Sequence, residues 1–226
     1  MPLAARYPHV PGLTSTSPKG RPRLIAATGD RDALAPDPDP FRRRLLGGLA
    51  EAITERGYRA STVADVVRHA RTSKRTFYAY FAGKQECFLE LLRVDNEALG
   101  RSIRDAVKPE ADWHVQIRQA VEAYVHAIEA RPEITLSWIR ELPSLGDVAR
   151  PMQRHGLKTL TELLIELTTS PGFRRAKVAP LTAPLAVILL GGLRELTAIT
   201  VEDGRPMREI VEPAVDAGIA LLGPRS

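Results

Sequence analysis

One stretch of this chain, Thr62 to Phe88 (TVADVVRHARTSKRTFYAYFAGKQECF), leaves few folds open. Thr62 stands three residues before Asp65 and opens a run in which Val63, Val66, Val67 and Ala70 recur at helical spacing. It reads as a helix whose capping box uses Asp in place of Glu. Arg71-Thr72-Ser73 interrupts the pattern as a turn, with Ser73 or Thr72 placed to cap a second helix. In that helix Phe77 and Phe81 fall four apart and face inward, which turns Lys74, Arg75, Tyr78 and Ala79 outward. Lys84 opens a further helix. Two short helices joined by a tight turn, the second with a cationic and aromatic outer face, are the plan of a helix-turn-helix DNA reader.

The chain as a whole reads as all-α. Of 226 residues 44% are hydrophobic and only 5% aromatic, and the apolar ones recur three or four apart rather than alternating; this pattern fits helices around a sizeable core. Residues 1–40 are rich in Pro, Gly, Ser and Thr without an apolar period, and are expected as a disordered tail. Within the tail, Pro18-Lys19-Gly20-Arg21-Pro22-Arg23 resembles an AT-hook core. Lys19, Arg21 and Arg23 are candidates for a minor-groove arm, against the plainer reading of a charged linker. From Phe41 a stripe of Leu45, Leu46, Leu49 and Ile53 runs to Gly57, a helix stop. Arg42-Arg43-Arg44 at its start is either a solvated face or a contact to DNA phosphates.

Charge is unevenly placed. Residues 41–87 hold ten Lys or Arg against four Asp or Glu, whereas residues 88–226 hold 17 against 19. The positive excess therefore sits on the reader, where it attracts phosphate. One cysteine, Cys87, excludes an internal disulfide framework and a thiolate zinc cluster; it is expected in the core and fits a reducing compartment. The longest apolar run, Leu181 to Leu193, is shorter than the ~20 residues of a membrane span and is interrupted by Pro184. It is expected as buried helix, with no membrane partner. No signal peptide is apparent at the N-terminus. No phosphate-binding loop, nucleophile elbow or zinc-protease motif occurs, and the five His are scattered, so no enzyme, metal or cofactor is expected.

The run from Phe41 to Phe88, most closely Thr62 to Ala70 followed by Ser73-Lys74-Arg75-Thr76-Phe77-Tyr78-Ala79-Tyr80-Phe81 and Lys84, resembles the DNA-binding domain of the TetR family of bacterial repressors. The resemblance implies an all-α homodimer with a three-helix reader over residues 41–88. It also implies a larger helical domain, residues 89–226, that binds a small-molecule effector and forms the dimer. By the same resemblance Thr62, Tyr78 and Lys84 match positions that hold phosphates, and Lys74, Arg75 and Ala79 match base-facing positions. Tyr80 stands where the family often has His. Arg71 departs from the Gly common in this turn; if its backbone is left-handed it costs about 1 kcal/mol and adds a cation beside the DNA, with Thr72 and Ser73 next to it.

Beyond the reader, helices are expected from Cys87 to about Val107, Asp112 to about Ala130, Glu133 to Leu142, Val148 to about Thr168, Leu181 to about Val201 and Arg208 to Leu222, with Pro143 to Gly146 and Ser170 to Gly172 as breaks. An effector pocket is expected around Trp113, Tyr124, Trp138, Met152 and Leu160, with Glu141, His155 or Arg194 orienting a polar group. Leu185, Leu189, Leu193, Ala217, Ile219 and Leu221 are candidates for a dimer face, with Gly191-Gly192 and Ala198 allowing close approach; an intramolecular core fits the same stripes. The function these expectations compose is a cytoplasmic, nucleoid-associated repressor, released from a palindromic operator on double-stranded DNA by a small hydrophobic ligand. The alternative is a basic helical protein that binds nucleic acid without sequence preference.

Overall fold

A proline and an aspartate set the start of the first helix. Asp39 accepts a hydrogen bond from the backbone of Phe41 through Oδ1 at 2.8 Å, and Pro40 occupies the first helical position, where a missing N–H costs nothing. The computed structural model describes residues 39–223; Lys19, Arg21 and Arg23 lie outside them. Helix α1 (Pro40–Ala60) buries Leu45, Leu46, Leu49 and Ile53. Gly57 breaks its dihedrals with φ 76°, as its position at the end of the apolar stripe predicts. Helix α2 (Val63–His69) and helix α3 (Lys74–Tyr80) follow, and α4 (Lys84–Ala106) carries Cys87, Phe88, Leu91 and Leu92 into the same core. The Tyr58 ring stacks on Phe88 with centroids 3.8 Å apart. Cys87 is fully buried, and burial pushes its thiol up to about 12, so it packs and does not react.

The rest of the described chain is α5 (Trp113–Glu129), α6 (Pro132–Leu136), a π-helical turn (Ser137–Glu141), a 3-10 segment (Leu142–Val148), α7 (Arg150–Leu167), α8 (Pro171–Arg175), α9 (Ala183–Glu202), a short 3-10 turn (Met207–Ile210) and α10 (Val211–Leu222). No strand occurs among the described residues. Two expectations change in detail. The helix expected from Glu133 to Leu142 widens into a π turn. Pro143 has no N–H to donate to the carbonyl of Ile139, and the guanidinium of Arg194 fills that acceptor instead, at 2.9 Å. Ser170-Pro171-Gly172 begins another helix, α8, with Ser170 at its N-cap.

Three apolar clusters hold the fold. The core of the reader continues past Phe88 into Ile134, Leu142 and Ala149, with Trp138 and Met152 against it. A second cluster joins α4, α5 and α7 through Ile103, Tyr124, Val125, Ile128 and Leu163, closed by Met207 and Ile210. A third gathers Ile117, Phe173, Val178 and Val215, with Trp113 at its edge.

The run expected as buried helix is corrected. Pro184 lies in the first turn of α9 and interrupts nothing. The helix runs 20 residues with a mean hydropathy of 1.6 in its most apolar window, long and apolar enough to cross a membrane by length and composition, yet only 22% of that window is buried. Ala186, Thr197, Ala198 and Thr200 face the core, while Val187, Ile188 and Ile199 face out. A helix that is apolar on more than one face cannot hide all of itself against one neighbour.

Candidate DNA interface and apolar cavity

The turn of the reader is built from local hydrogen bonds. Thr62 Oγ1 accepts from the backbone of Asp65 at 3.2 Å and Asp65 Oδ2 accepts from the backbone of Thr62 at 2.9 Å, a complete capping box. The Thr62 hydroxyl also donates to Asp65 Oδ2 at 2.7 Å, and this bond, followed by that from the Thr62 backbone, holds the Asp65 carboxyl down at about 2. Ser73, rather than Thr72, caps α3: its Oγ accepts from the backbone of Thr76 at 3.1 Å. Between the helices Arg71 takes φ 50°, in the left-handed region. Arg71→Gly is therefore expected to raise unfolding free energy by about 0.5–1 kcal/mol, read from the urea midpoint.

Phe77 and Phe81 are buried, and Lys74, Arg75, Tyr78 and Ala79 are exposed along the other side of α3. Ion pairing within the reader and with the helices that follow it sharpens the charge asymmetry. Arg42 pairs with Glu90 at 2.7 Å, Arg68 with Glu55 at 3.0 Å, Arg56 with Asp65 at 3.5 Å and Arg59 with Glu141 at 2.7 Å. Arg44 lies over the Phe41 ring. The side chains of Arg71, Lys74 and Arg75 make no hydrogen bond or ion pair among the described residues, whereas the backbone of Arg71 donates to Arg68 at 3.2 Å, so the positive charge left over is concentrated at the turn and the first turn of α3.

Two expected DNA-contacting residues turn back into the protein. The Tyr80 ring packs against the core of the reader, and its hydroxyl donates to Asp39 Oδ2 at 2.7 Å. That bond lowers the Asp39 carboxyl below the ordinary range and ties the end of α3 to the cap of α1. Lys84 sits half-buried with its Nζ donating to the carbonyls of Tyr58 at 2.8 Å, Ser61 at 2.8 Å and Arg59 at 3.3 Å, over the Tyr58 ring. Burial pulls its ammonium below the ordinary lysine value, and the charge of Glu141 partly offsets that pull.

A cavity of about 440 Å³ opens among α5, α7, α9 and α10, in the size range of small-molecule sites. Leu160, Leu163, Leu164 and Leu167 of α7 face Leu189, Leu193 and Leu196 of α9, with Ile117 and Val121 of α5 and Leu221 of α10. Its polar side chains are already satisfied. Gln116 donates to the carbonyls of Pro109 and Ala111 and accepts from Ser170. Thr168 donates to the carbonyl of Ile165 and accepts from the backbone of Leu181. The Thr197 hydroxyl proton is committed to the carbonyl of Leu193, so Tyr124 donates to Thr197 at 2.8 Å, and burial lifts the phenol to about 12. The site offers a ligand hydrocarbon contact and almost nothing else.

Of the residues expected around an effector, Tyr124 and Leu160 line this cavity. The others stand elsewhere. Trp138 and Met152 pack under the reader, Glu141 pairs with Arg59, Arg194 serves the π turn, His155 is exposed and Trp113 meets Phe173 edge-on at 6.1 Å. Leu189, Leu193, Ala217 and Leu221, expected on a dimer face, line the cavity, while Ile219 packs against the third cluster and Leu185 does neither. The leucine stripe of α7 was the available signal for the cavity, because four half-buried or buried leucines on one helix need a facing surface.

A chain of ion pairs joins cavity wall and reader. Arg140, in the π turn, holds Glu195 at 2.8 Å and Glu202 at 2.7 Å, both on α9, and its neighbour Glu141 holds Arg59 at the end of α1.

The sequence profile of bacterial regulatory proteins of the tetR family matches residues 45–91. An uncharacterised HTH-type transcriptional regulator, YhgD of Bacillus subtilis, is 23% identical over 108 residues, 48% of this chain and 56% of YhgD. The chain spans about half the length of the curated relatives it matches. Among solved structures, the fatty acid degradation regulator FadR from Bacillus halodurans superposes with a TM-score of 0.68 at 19% identity, covering 81% of this chain and 99% of that one. The transcriptional regulator FadR from Bacillus subtilis, solved in complex with stearoyl-CoA, gives a TM-score of 0.68 at 16% identity, with the same 81% and 99% coverage.

Proposed function

We propose that this chain, a member of the TetR family of bacterial regulatory proteins by its residues 45–91, is a cytoplasmic transcriptional repressor that a hydrocarbon-chain ligand releases from DNA. Two copies, joined through α9 and α10, present two α3 helices to successive major grooves of double-stranded DNA, so the operator is an inverted repeat. Lys74 and Arg75 reach guanine edges, while Arg71, Thr62, Thr72, Ser73 and Tyr78 set the register on phosphates. The observation that carries the reading is the free cationic face of α3 in a chain that also encloses an apolar cavity.

The ligand class follows from the lining. A ligand with buried polar groups would leave them unpaired against leucines, a cost that a saturated chain avoids. The stearoyl-CoA bound to Bacillus subtilis FadR brings such a chain. The ligand moves the equilibrium only if it binds the DNA-incompetent arrangement better. The ion pairs of Glu195 and Glu202 with Arg140, and of the adjoining Glu141 with Arg59, link α9 to the reader through the π turn.

The experiment is a thermal unfolding series with free fatty acids from octanoate to stearate and with their CoA thioesters. At about a hundred times the dissociation constant the midpoint is expected to rise by about 5–10 °C for the longer chains. Thioester-only binding would place the headgroup in the site. A flat response across both series overturns the ligand class.

A further inference from the structure

A second cleft, of about 430 Å³, lies where the reader meets the helices beyond it. Residues 53–58 of α1 line it together with Glu133 and Leu136 of α6, the π turn and Glu202 of α9. Its lining is polar where that of the first cavity is apolar. Four carboxylates, Glu55, Glu133, Glu141 and Glu202, stand against two guanidinium groups, Arg56 and Arg140. Most of this charge is already matched inside the protein. Glu55 holds Arg68 at 3.0 Å, Glu141 holds Arg59 at 2.7 Å and Glu202 holds Arg140 at 2.7 Å. Glu133 is the exception: its half-buried carboxylate makes no hydrogen bond or ion pair among the described residues.

Ser137 adds a second, independent observation. It lines the cleft while only 5% exposed, yet its hydroxyl makes no hydrogen bond among the described residues. Buried hydroxyls are ordinarily bonded, so one left open on a cleft wall calls for a partner from outside the chain. Tyr58 repeats the pattern on the same lining, 7% exposed and with its phenol hydroxyl unbonded. The backbone N–H of Ser137 donates to the carbonyl of Glu133. One helical turn therefore separates the two residues and puts both on one face.

We infer that this cleft binds an organic ammonium ion, an aliphatic amine or polyamine. Glu133 is its counter-charge, and the hydroxyl oxygens of Ser137 and Tyr58 accept its N–H groups. Leu136 and Ile53, on the same lining, meet its hydrocarbon stem. A bare metal ion does not suit the site, because no group of three or more His, Cys, Asp or Glu is placed to hold one among the described residues. The bound amine touches α1 and the π turn together, so it fastens the reader to the helices beyond. It is a site apart from the apolar cavity, and its test needs neither DNA nor the proposed hydrocarbon ligand.

Isothermal titration calorimetry of the full chain with spermidine, in sodium chloride at about 150 mM so that loose charge attraction is screened, tests the inference. One site per chain is expected, with a dissociation constant below about 1 mM; Glu133→Gln should weaken it about tenfold and Ser137→Ala about fivefold. Neither side chain has a partner within the chain to lose, so both variants are expected to melt at the wild-type midpoint. Glu162→Gln, which removes an exposed carboxylate on α7, should bind spermidine as the wild type does. Equal affinity in the wild type, Glu133→Gln and Ser137→Ala overturns the site, as does the absence of saturable heat from both spermidine and putrescine. A loss in Glu162→Gln as large as that in Glu133→Gln overturns it too, because the binding would then follow surface charge alone. Magnesium chloride that displaces spermidine at equal concentration overturns the ligand class.

Discussion

Gly48→Ala is expected to destabilise the protein by about 3 kcal/mol, at the upper end of what one inserted methyl group costs, and to abolish DNA binding near its lowered midpoint. Gly48 is where α1 crosses α2. A Cβ there would stand 2.5 Å from the carbonyl oxygen of Val66, 2.9 Å from the amide nitrogen of Ala70 and 3.0 Å from the Ala70 Cβ. Two of these are backbone atoms of a helix held by the Thr62–Asp65 capping box, so they cannot swing aside as a side-chain tip would. The helices must separate, which opens the cluster that Leu45, Leu49, Val66 and Phe77 share, all four fully buried. The neighbouring glycine is the control. Gly47 has nothing within 4 Å of an added Cβ, so Gly47→Ala should stabilise by up to about 1 kcal/mol through helix propensity alone. Urea unfolding of both variants reads the opposite signs; equal effects would show that the crossing is not tight.

Lys84→Met is expected to cost about 2–3 kcal/mol, because it strips the donor from part-buried carbonyls at the end of α1, and to lower the melting midpoint by about 5–10 °C. The residue closes the gap left where Gly57 ends the regular part of α1: Tyr58, Arg59 and Ser61 have carbonyls there without helical partners, and one ammonium serves all three. Arginine should restore part of the loss, being charged but differently shaped. The salt dependence of DNA binding separates this role from a phosphate contact. With the ammonium committed inside the protein, the slope of log affinity against log salt stays unchanged in Lys84→Met. A slope reduced by about one, with stability intact, would assign Lys84 to the DNA backbone instead.

These two residues also show what the sequence made legible. The reader could be seen because its signals are local: the four-residue capping box, the Phe77–Phe81 spacing and the break at Gly57 each lie within a turn or two of the chain. Arg71 likewise carries its left-handed backbone where the turn places it. What escaped depends on partners far along the chain. Tyr80 and Lys84 look like outward polar residues until Asp39, 41 residues away, and Tyr58, 26 residues away, are brought beside them. A pocket was expected, and Tyr124 and Leu160 do line it, but most of its wall escaped for a related reason. Leucine stripes state that a helix buries a face but not against what, so Leu189 and Leu193 read as a dimer face when they also line the cavity. Large aromatic residues drew attention to Trp138 and Trp113, yet they fill space under the reader and at the third cluster. The π turn was hidden as well, since Pro143 marks where a helix ends but not how the freed carbonyl of Ile139 is satisfied.

If the protein is a repressor, the free face of α3 reads sequence as one of a pair. Selection of bound duplexes from a random pool by the purified full chain, followed by footprinting, measures this directly. The expected result is enrichment of a single inverted repeat with half-sites about one helical turn apart, and relaxed preference at one or two base positions for Arg75→Ala. Retention of duplexes without any enriched repeat, with wild type and Arg75→Ala binding alike, would contradict it and leave a basic protein that holds nucleic acid by charge alone.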